Sequence, residues 1–128
     1  MEVIMLDGPG SCGKTTTLNL VYSELTTIHG ATVHTNKTPL GGNQQDFEVI
    51  LNYNGKTVAI FTMGDFSNMI INAMNKYARL VNVLVIACNN RFRNPYIAIQ
   101  AYKNIILHKP KGNPASDQLF TDNIISLL

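Results

Sequence analysis

The chain has 128 residues, 45% of them hydrophobic and 14% charged, with a formal net charge of +2. That length and composition fit one compact domain over residues 1–128 with a real core. A balance of +2 without a Lys/Arg run gives nucleic-acid binding no support, and no apolar run reaches the roughly 18 residues of a membrane-spanning helix. The two cysteines, Cys12 and Cys88, lack the C-x-x-C spacing of zinc or thioredoxin sites and read as free thiols.

Residues 2–7, Glu-Val-Ile-Met-Leu-Asp, are almost continuously apolar, as in a central strand buried on both faces. Gly8-Pro9-Gly10-Ser11-Cys12-Gly13-Lys14-Thr15 follows, and a helical pattern opens at Lys14. The segment reads G-x-x-x-x-G-K-[ST], the phosphate-binding P-loop, in the strand-before, helix-after context which that motif requires. At ordinary residue frequencies the four fixed positions match by chance in well under ~1% of chains this long, so a glycine turn that merely precedes a helix is the weaker reading. Gly8, Gly10 and Gly13 permit backbone angles that let successive N–H groups point inward around an anion, with the helix N-terminus behind them. Pro9, Ser11, Cys12 and Thr16 complete the candidate binding segment. Lys14 is expected to be exposed and to reach the β/γ-phosphates, and Thr15 to place its hydroxyl on Mg²⁺. Cys12 lies near a helix N-terminus and a lysine, which lowers a thiol pKa and raises the question of redox control. An inert free thiol is the plainer alternative.

The helix spans 14–28, with Leu18, Val21, Tyr22, Leu25 and Ile28 on one face and Gly30 as its stop. Residues 29–45 lack a clear period and carry Pro39 and Gly41-Gly42, so they read as a long loop in which Val33 begins at most a short strand. Thr35 and Thr38 either meet the metal or γ-phosphate from there or lie on a plain flexible loop. Residues 46–53 and 56–63 flank Asn54-Gly55, the strongest short hairpin signal. In the first arm Phe47, Val49, Leu51 and Tyr53 alternate with Asp46, Glu48 and Asn52. That arm is therefore expected at the sheet edge with Asp46 on a wet face, and the second arm beside strand 1.

Helix 66–79 carries a core stripe of Phe66, Met69, Ile70, Ala73, Met74 and Tyr77, with Ser67 or Asp65 as cap. A buried strand over 82–88, a loop over 89–95, a short helix over 95–101 and a strand over 104–108 follow. The last helix starts near Ser116, with Leu119, Phe120, Ile124 and Leu127 facing inward. Strands alternating with helices predict an α/β fold: three layers, a mainly parallel sheet with the P-loop, and one antiparallel edge hairpin strand. The expected order is hairpin arm, second arm, strand 1, then the strands near 85 and 106.

A P-loop needs an acid for Mg²⁺ at the carboxyl end of a neighbouring strand. Asp65, after Val58-Ala-Ile-Phe-Thr-Met-Gly64, is the first candidate, and capping the next helix is its alternative role. Asp7, at the end of strand 1, is the rival metal residue. Arg91 and Arg93, after the strand at 82–88, either supply catalytic charge to a transferring phosphoryl group or form a solvated loop. Lys109 and Lys111 are weaker candidates for lining a base or a second phosphate. His29, His34 and His108 have no metal-site spacing.

With these elements in place, the chain resembles a small member of the P-loop nucleoside triphosphate hydrolase superfamily. Leu6-Asp7-Gly8-Pro9-Gly10-Ser11-Cys12-Gly13-Lys14-Thr15-Thr16 is similar to the phosphate loop of nucleotide kinases, and the hairpin before the acid is similar to small GTPases. Gly-Lys-Thr-Thr-Thr and Gly-Asp also look like elements of small bacterial or phage ATP-binding proteins. Thr62-Met63-Gly64-Asp65 departs from the GTPase D-x-x-G, and Cys88-Asn89-Asn90-Arg91 lacks their guanine signature. The resemblance implies an Mg²⁺-dependent protein that binds nucleoside triphosphate, ATP rather than GTP, and hydrolyses it or passes phosphate to a small acceptor. The 89–95 loop is the one candidate lid. A slow-turnover switch reporting to a protein partner, or a P-loop scaffold without catalysis, are the alternatives. The P-loop occupies the place of a cleaved signal segment, so the expected location is cytoplasmic.

Overall fold

The computed structural model of the protein describes residues 1–41 and 45–128. Gly42, Asn43 and Gln44, within the segment read as a long loop, lie outside the described residues. The element order is β1 (Glu2–Gly8), α1 (Lys14–Thr27), β2 (Thr32–Pro39), β3 (Phe47–Tyr53), β4 (Lys56–Phe61), α2 (Ser67–Tyr77), β5 (Val83–Asn89), α3 (Asn94–Ala98), a 3₁₀ turn (Ile99–Ala101), β6 (Lys103–His108) and α4 (Pro114–Ser126). The six strands form one mixed sheet in the order β2-β3-β4-β5-β1-β6. β4, β5, β1 and β6 run parallel, whereas β2–β3 and β3–β4 are antiparallel.

Alternation along β1 divides the core. Ile4 and Leu6 pack with Leu18, Val21 and Leu25 of α1 and Ile124 of α4. Val3 and Met5 pack on the other face with Ile70, Ala73 and Met74 of α2 and Ile99 of the 3₁₀ turn. Helices therefore cover both faces, which is why β1 and β5 read as unbroken apolar runs. The hairpin turn is as its sequence predicts: Asn54 and Gly55 have φ of 52° and 74°, the left-handed pair that a two-residue turn between twisted strands requires.

The topology corrects two expectations. β4 pairs with β5, not with β1, and β1 lies between β5 and β6. β4, α2 and β5 are consecutive and form a βαβ unit with adjacent strands, the common arrangement for sequential elements. The first hairpin arm is not an edge either, because residues read as loop form β2 outside it. β2 is exposed along its whole length, so it lacks the apolar alternation that marks a strand in sequence. Its register with β3 shifts twice, between Val33 and Thr35 and between Thr35 and Thr38, and Pro39 ends it. Such irregularity blunts a sheet edge.

Three residues expected in the core are exposed: Ile28, Phe66 and Leu119. Ile28 and Phe66 are terminal positions of their helices, where the stripe runs past the sheet. Leu119 lies within α4 but off the line of Thr121 and Ile124, the residues that this helix buries. Neither Asp65 nor Ser67 caps α2; Phe66 is its N-cap residue and makes no side-chain cap bond. Among the described residues no helix is long and apolar enough to cross a membrane.

Candidate functional site

The carboxyl ends of β1, β4, β5 and β6 lie on one rim of the sheet, where open α/β sheets bind ligands. Gly8–Gly13 leaves β1 at that rim and turns into α1. Ser11 (φ 58°) and Gly13 (φ 95°) take left-handed conformations, and Gly13 is the N-cap residue of α1. A Cβ on Gly8 would collide with the Lys109 carbonyl, and one on Gly13 would come within 2.7 Å of Asp117 Oδ1. The glycines are thus imposed by close packing beneath the loop as well as by its curvature.

Lys109 supplies that packing. Its ammonium is buried, donates to the Cys12 carbonyl at 2.7 Å and pairs with Asp117 Oδ1 at 2.7 Å. It therefore braces the loop from below and does not line a base or second-phosphate site. Lys111 is exposed. Lys14, expected to be exposed, is also buried. Its Nζ donates to the carbonyls of Gly8 (3.1 Å) and Pro9 (2.8 Å) and approaches Cys12 Sγ at 3.6 Å, which uses all three ammonium donors inside its own loop. Cys12 is a buried free thiol.

A polar cavity of about 290 Å³ is lined by Ser11, Cys12, Gly13, Lys14, Thr15 and Thr16 and, opposite them, by Gln45, Thr62, Gly64 and Asp65. Gly64 brings Asp65 there: its position is so tight against β5 that a Cβ would lie 2.9 Å from the Ala87 carbonyl carbon. The Gly64 carbonyl accepts from Asn89 N at 2.9 Å and so extends the β4–β5 pairing. Asp65 is exposed, and it also lines a neighbouring, more apolar hollow of about 570 Å³ with Phe66, Met69, Arg91 and Phe92.

The residue that sequence reasoning missed is Asp46. It was expected on a wet face but is 5% exposed. Its Oδ1 accepts from Thr62 Oγ1 at 2.8 Å and from Thr15 Oγ1 at 3.3 Å, and Thr62 Oγ1 in turn accepts from Phe47 N at 2.9 Å. The one sequence signal for it was an acid standing at the start of a hairpin arm; strand alternation, which assumed an edge strand, pointed the wrong way.

Asp7 stands apart from this cavity. Tyr96 Oη donates to its Oδ2 at 2.7 Å, and His108 Nδ1 lies 2.8 Å from its Oδ1, so both oxygens are engaged by side chains. Burial, followed by the bond to Asp7, raises the Tyr96 pKa well above the ordinary phenol value. Burial pushes the adjacent Cys88 thiol up to about 11. Arg91 and Arg93 are both exposed, and neither lines the cavity at the loop. Thr35 and Thr38 lie on exposed β2 and do not line it either. A larger open hollow, about 600 Å³, lies at the amino end of the parallel strands between His29 and the Asn54-Gly55 turn, away from this rim.

No family model, curated protein or solved structure matches this chain. Among the described residues there is no cluster of three or more His, Cys, Asp and Glu side chains that could hold a metal by itself. The donor set at the loop, hydroxyls with separate carboxylates, consists of hard oxygen ligands, the kind that suit Mg²⁺ or Ca²⁺.

Proposed function

We propose that the protein binds Mg²⁺–nucleoside triphosphate, ATP in preference to GTP, and hydrolyses it or transfers its terminal phosphoryl group to a small acceptor. The observation that carries this reading is the loop Gly8–Thr15. It joins the carboxyl end of a buried parallel strand to the first turn of α1 and borders a polar cavity that Asp65 also lines. Gly8, Pro9, Gly10, Ser11, Cys12, Gly13 and Thr16 form the P-loop in this reading, with backbone N–H groups as the anion donors.

In this reading Lys14 exchanges two neutral carbonyls and a thiol for phosphate oxygens, a change favoured because the acceptors then carry a full opposite charge. Thr15 and Asp65 would hold Mg²⁺, directly and through its water. A bound ion would supply neutralising charge to the phosphates. Asp7 orients His108 and Tyr96 rather than reaching the metal. The hollow beside Asp65, with Phe66, Met69 and Phe92 on its walls and Arg91 at its side, is the place for an acceptor with an apolar body and an anionic group.

One observation favours the slow-turnover alternative. Arg91 and Arg93 lie outside the loop cavity, so their charge is not in place on a transferring phosphoryl group. Measuring phosphate release from Mg-ATP, alone and with nucleosides or nucleoside monophosphates, tests the reading. Turnover that disappears in Lys14→Ala supports it, and tight binding without turnover selects the switch. No binding of any Mg²⁺–nucleotide overturns both.

A further inference from the structure

We infer that Asp46, the residue just before β3, is the inner carboxylate of the metal site at Thr15. This rests on the reading of the loop as a nucleoside triphosphate site. Four observations converge. Asp46 is nine-tenths buried, yet its side-chain oxygen Oδ1 is held by two hydroxyls, and among the described residues no ion pair includes it. A buried carboxylate without a cation is costly to keep, so its presence beside a glycine loop calls for a cationic ligand.

The second observation is distance. Asp46 Oδ1 and Thr15 Oγ1 are 3.3 Å apart. Two oxygens on one octahedral Mg²⁺, each at 2.0–2.1 Å, lie about 3 Å apart. The pair is therefore spaced to share the ion, or the ion and one of its waters, after a shift of a few tenths of an ångström.

Thirdly, Asp46 explains the departure at the end of β4. An acid is expected where that apolar strand ends, and Thr62 stands there instead. Thr62 Oγ1 accepts from Phe47 N and donates to Asp46. A hydroxyl that itself lines the cavity thus holds the carboxylate of the residue just before β3 directly behind the cavity wall. Asp65, three residues further on and exposed, is left for the outer side of the cavity.

Fourthly, Asp46 is tied to the segment that precedes it. Its carbonyl accepts from Leu40 N at 3.1 Å, and the Gln45 carbonyl accepts from Asn19 Nδ2, which also donates to the Thr15 carbonyl. The start of β3 is clipped to the first turns of α1, so loading of the metal would be felt at Leu40 and the end of β2.

The test compares wild type, Asp46→Asn, Asp65→Asn and Thr62→Val by two readouts. The first is Mn²⁺ affinity of the ATP complex by electron paramagnetic resonance. The second is melting temperature with no ligand, with ATP and EDTA, and with Mg-ATP. Asn is isosteric and keeps an acceptor for both hydroxyls, so Asp46→Asn is expected to melt at or above wild type without ligand. It should hold Mn²⁺ at least tenfold more weakly in the ATP complex and lose most of the Mg²⁺-dependent part of the ATP-induced rise. Thr62→Val should weaken Mn²⁺ less, by disordering Asp46. Asp46→Asn that melts lower without ligand but keeps wild-type Mn²⁺ affinity makes Asp46 a structural acid and overturns the inference. So does an Asp46→Asn that equals wild type in every state. If wild type itself shows no Mg²⁺-dependent response to ATP, the nucleotide reading fails, and this inference with it.

Discussion

Lys109 Nζ sits 2.7 Å from the carbonyl oxygen of Cys12, a residue 97 positions earlier in the chain, and this contact fixes the underside of the glycine loop. The same ammonium pairs with Asp117 on α4 at 2.7 Å. One buried cation therefore couples β6, α4 and the loop that leaves β1. Its backbone contributes too: Lys109 N donates to the Asp7 carbonyl at 2.8 Å.

Lys109→Met should consequently destabilise the fold although it lies outside the cavity. Removing one partner of a buried pair leaves an uncompensated charge on Asp117, at a cost of about 3–5 kcal/mol. Urea unfolding followed by circular dichroism measures it. A loss below 1 kcal/mol would mean that the ammonium contributes little to holding the loop.

Gly64→Ala tests the close approach of the β4 end to β5. The added Cβ meets backbone atoms of Ala87 and Cys88 at 2.9–3.0 Å, and backbone cannot move aside as a flexible side chain can. A destabilisation of about 1–3 kcal/mol is expected from such overpacking. Ligand affinity should fall as well, because Asp65 is displaced with Gly64. A variant as stable as wild type would show that this segment is not held against β5.

Tyr96→Phe removes the donor to Asp7 Oδ2. A buried acceptor left without its partner costs about 1–3 kcal/mol. Since Asp7 lies outside the loop cavity, nucleotide affinity in the folded variant should stay within about threefold of wild type. Parallel denaturation and titration separate the two effects, and a large loss of affinity with unchanged stability would return Asp7 to the binding site.

Stability should decline in alkali before the ordinary tyrosine range is passed. Burial pushes the Cys88 thiol from 9.0 up to about 11, and Tyr77 and Tyr96 are raised for the same reason, each with an acidic hydrogen-bond partner. Between pH 9 and pH 11 the folded state binds more protons than the unfolded one, so folding free energy falls as pH rises. For the thiol the loss is on the order of 2 kcal/mol. Urea midpoints at pH 8, 9, 10 and 11 check this, and Cys88→Ala should flatten the first part of the decline.

The sequence made much of this architecture legible. β1, β5 and the hairpin carry their own signatures, apolar runs or a turn dipeptide with its two left-handed residues, and each occupies the stretch of chain those signals mark, although not the expected place in the sheet order. β2 was not legible, because a strand exposed on both faces is selected by pairing with β3 and leaves no periodic pattern. Without β2, the alternation of β3 reads as an edge strand with Asp46 in solvent, whereas Asp46 is buried against Thr62. The glycine loop was legible because its residue types are dictated locally. Lys109 and Asp46 were not, because each meets the loop through contacts across the fold.

Calorimetric titration of Mg-ATP into wild type and Lys14→Ala tests the central claim most directly. Lys14 makes its hydrogen bonds within its own loop, so its removal should cost about 1–3 kcal/mol of stability and leave the fold intact. The account predicts a one-to-one wild-type complex that weakens at least a hundredfold in Lys14→Ala, with Mg-GTP binding more weakly than Mg-ATP. Equal affinity in the two proteins, or no heat of binding in wild type at millimolar Mg-ATP, would contradict it.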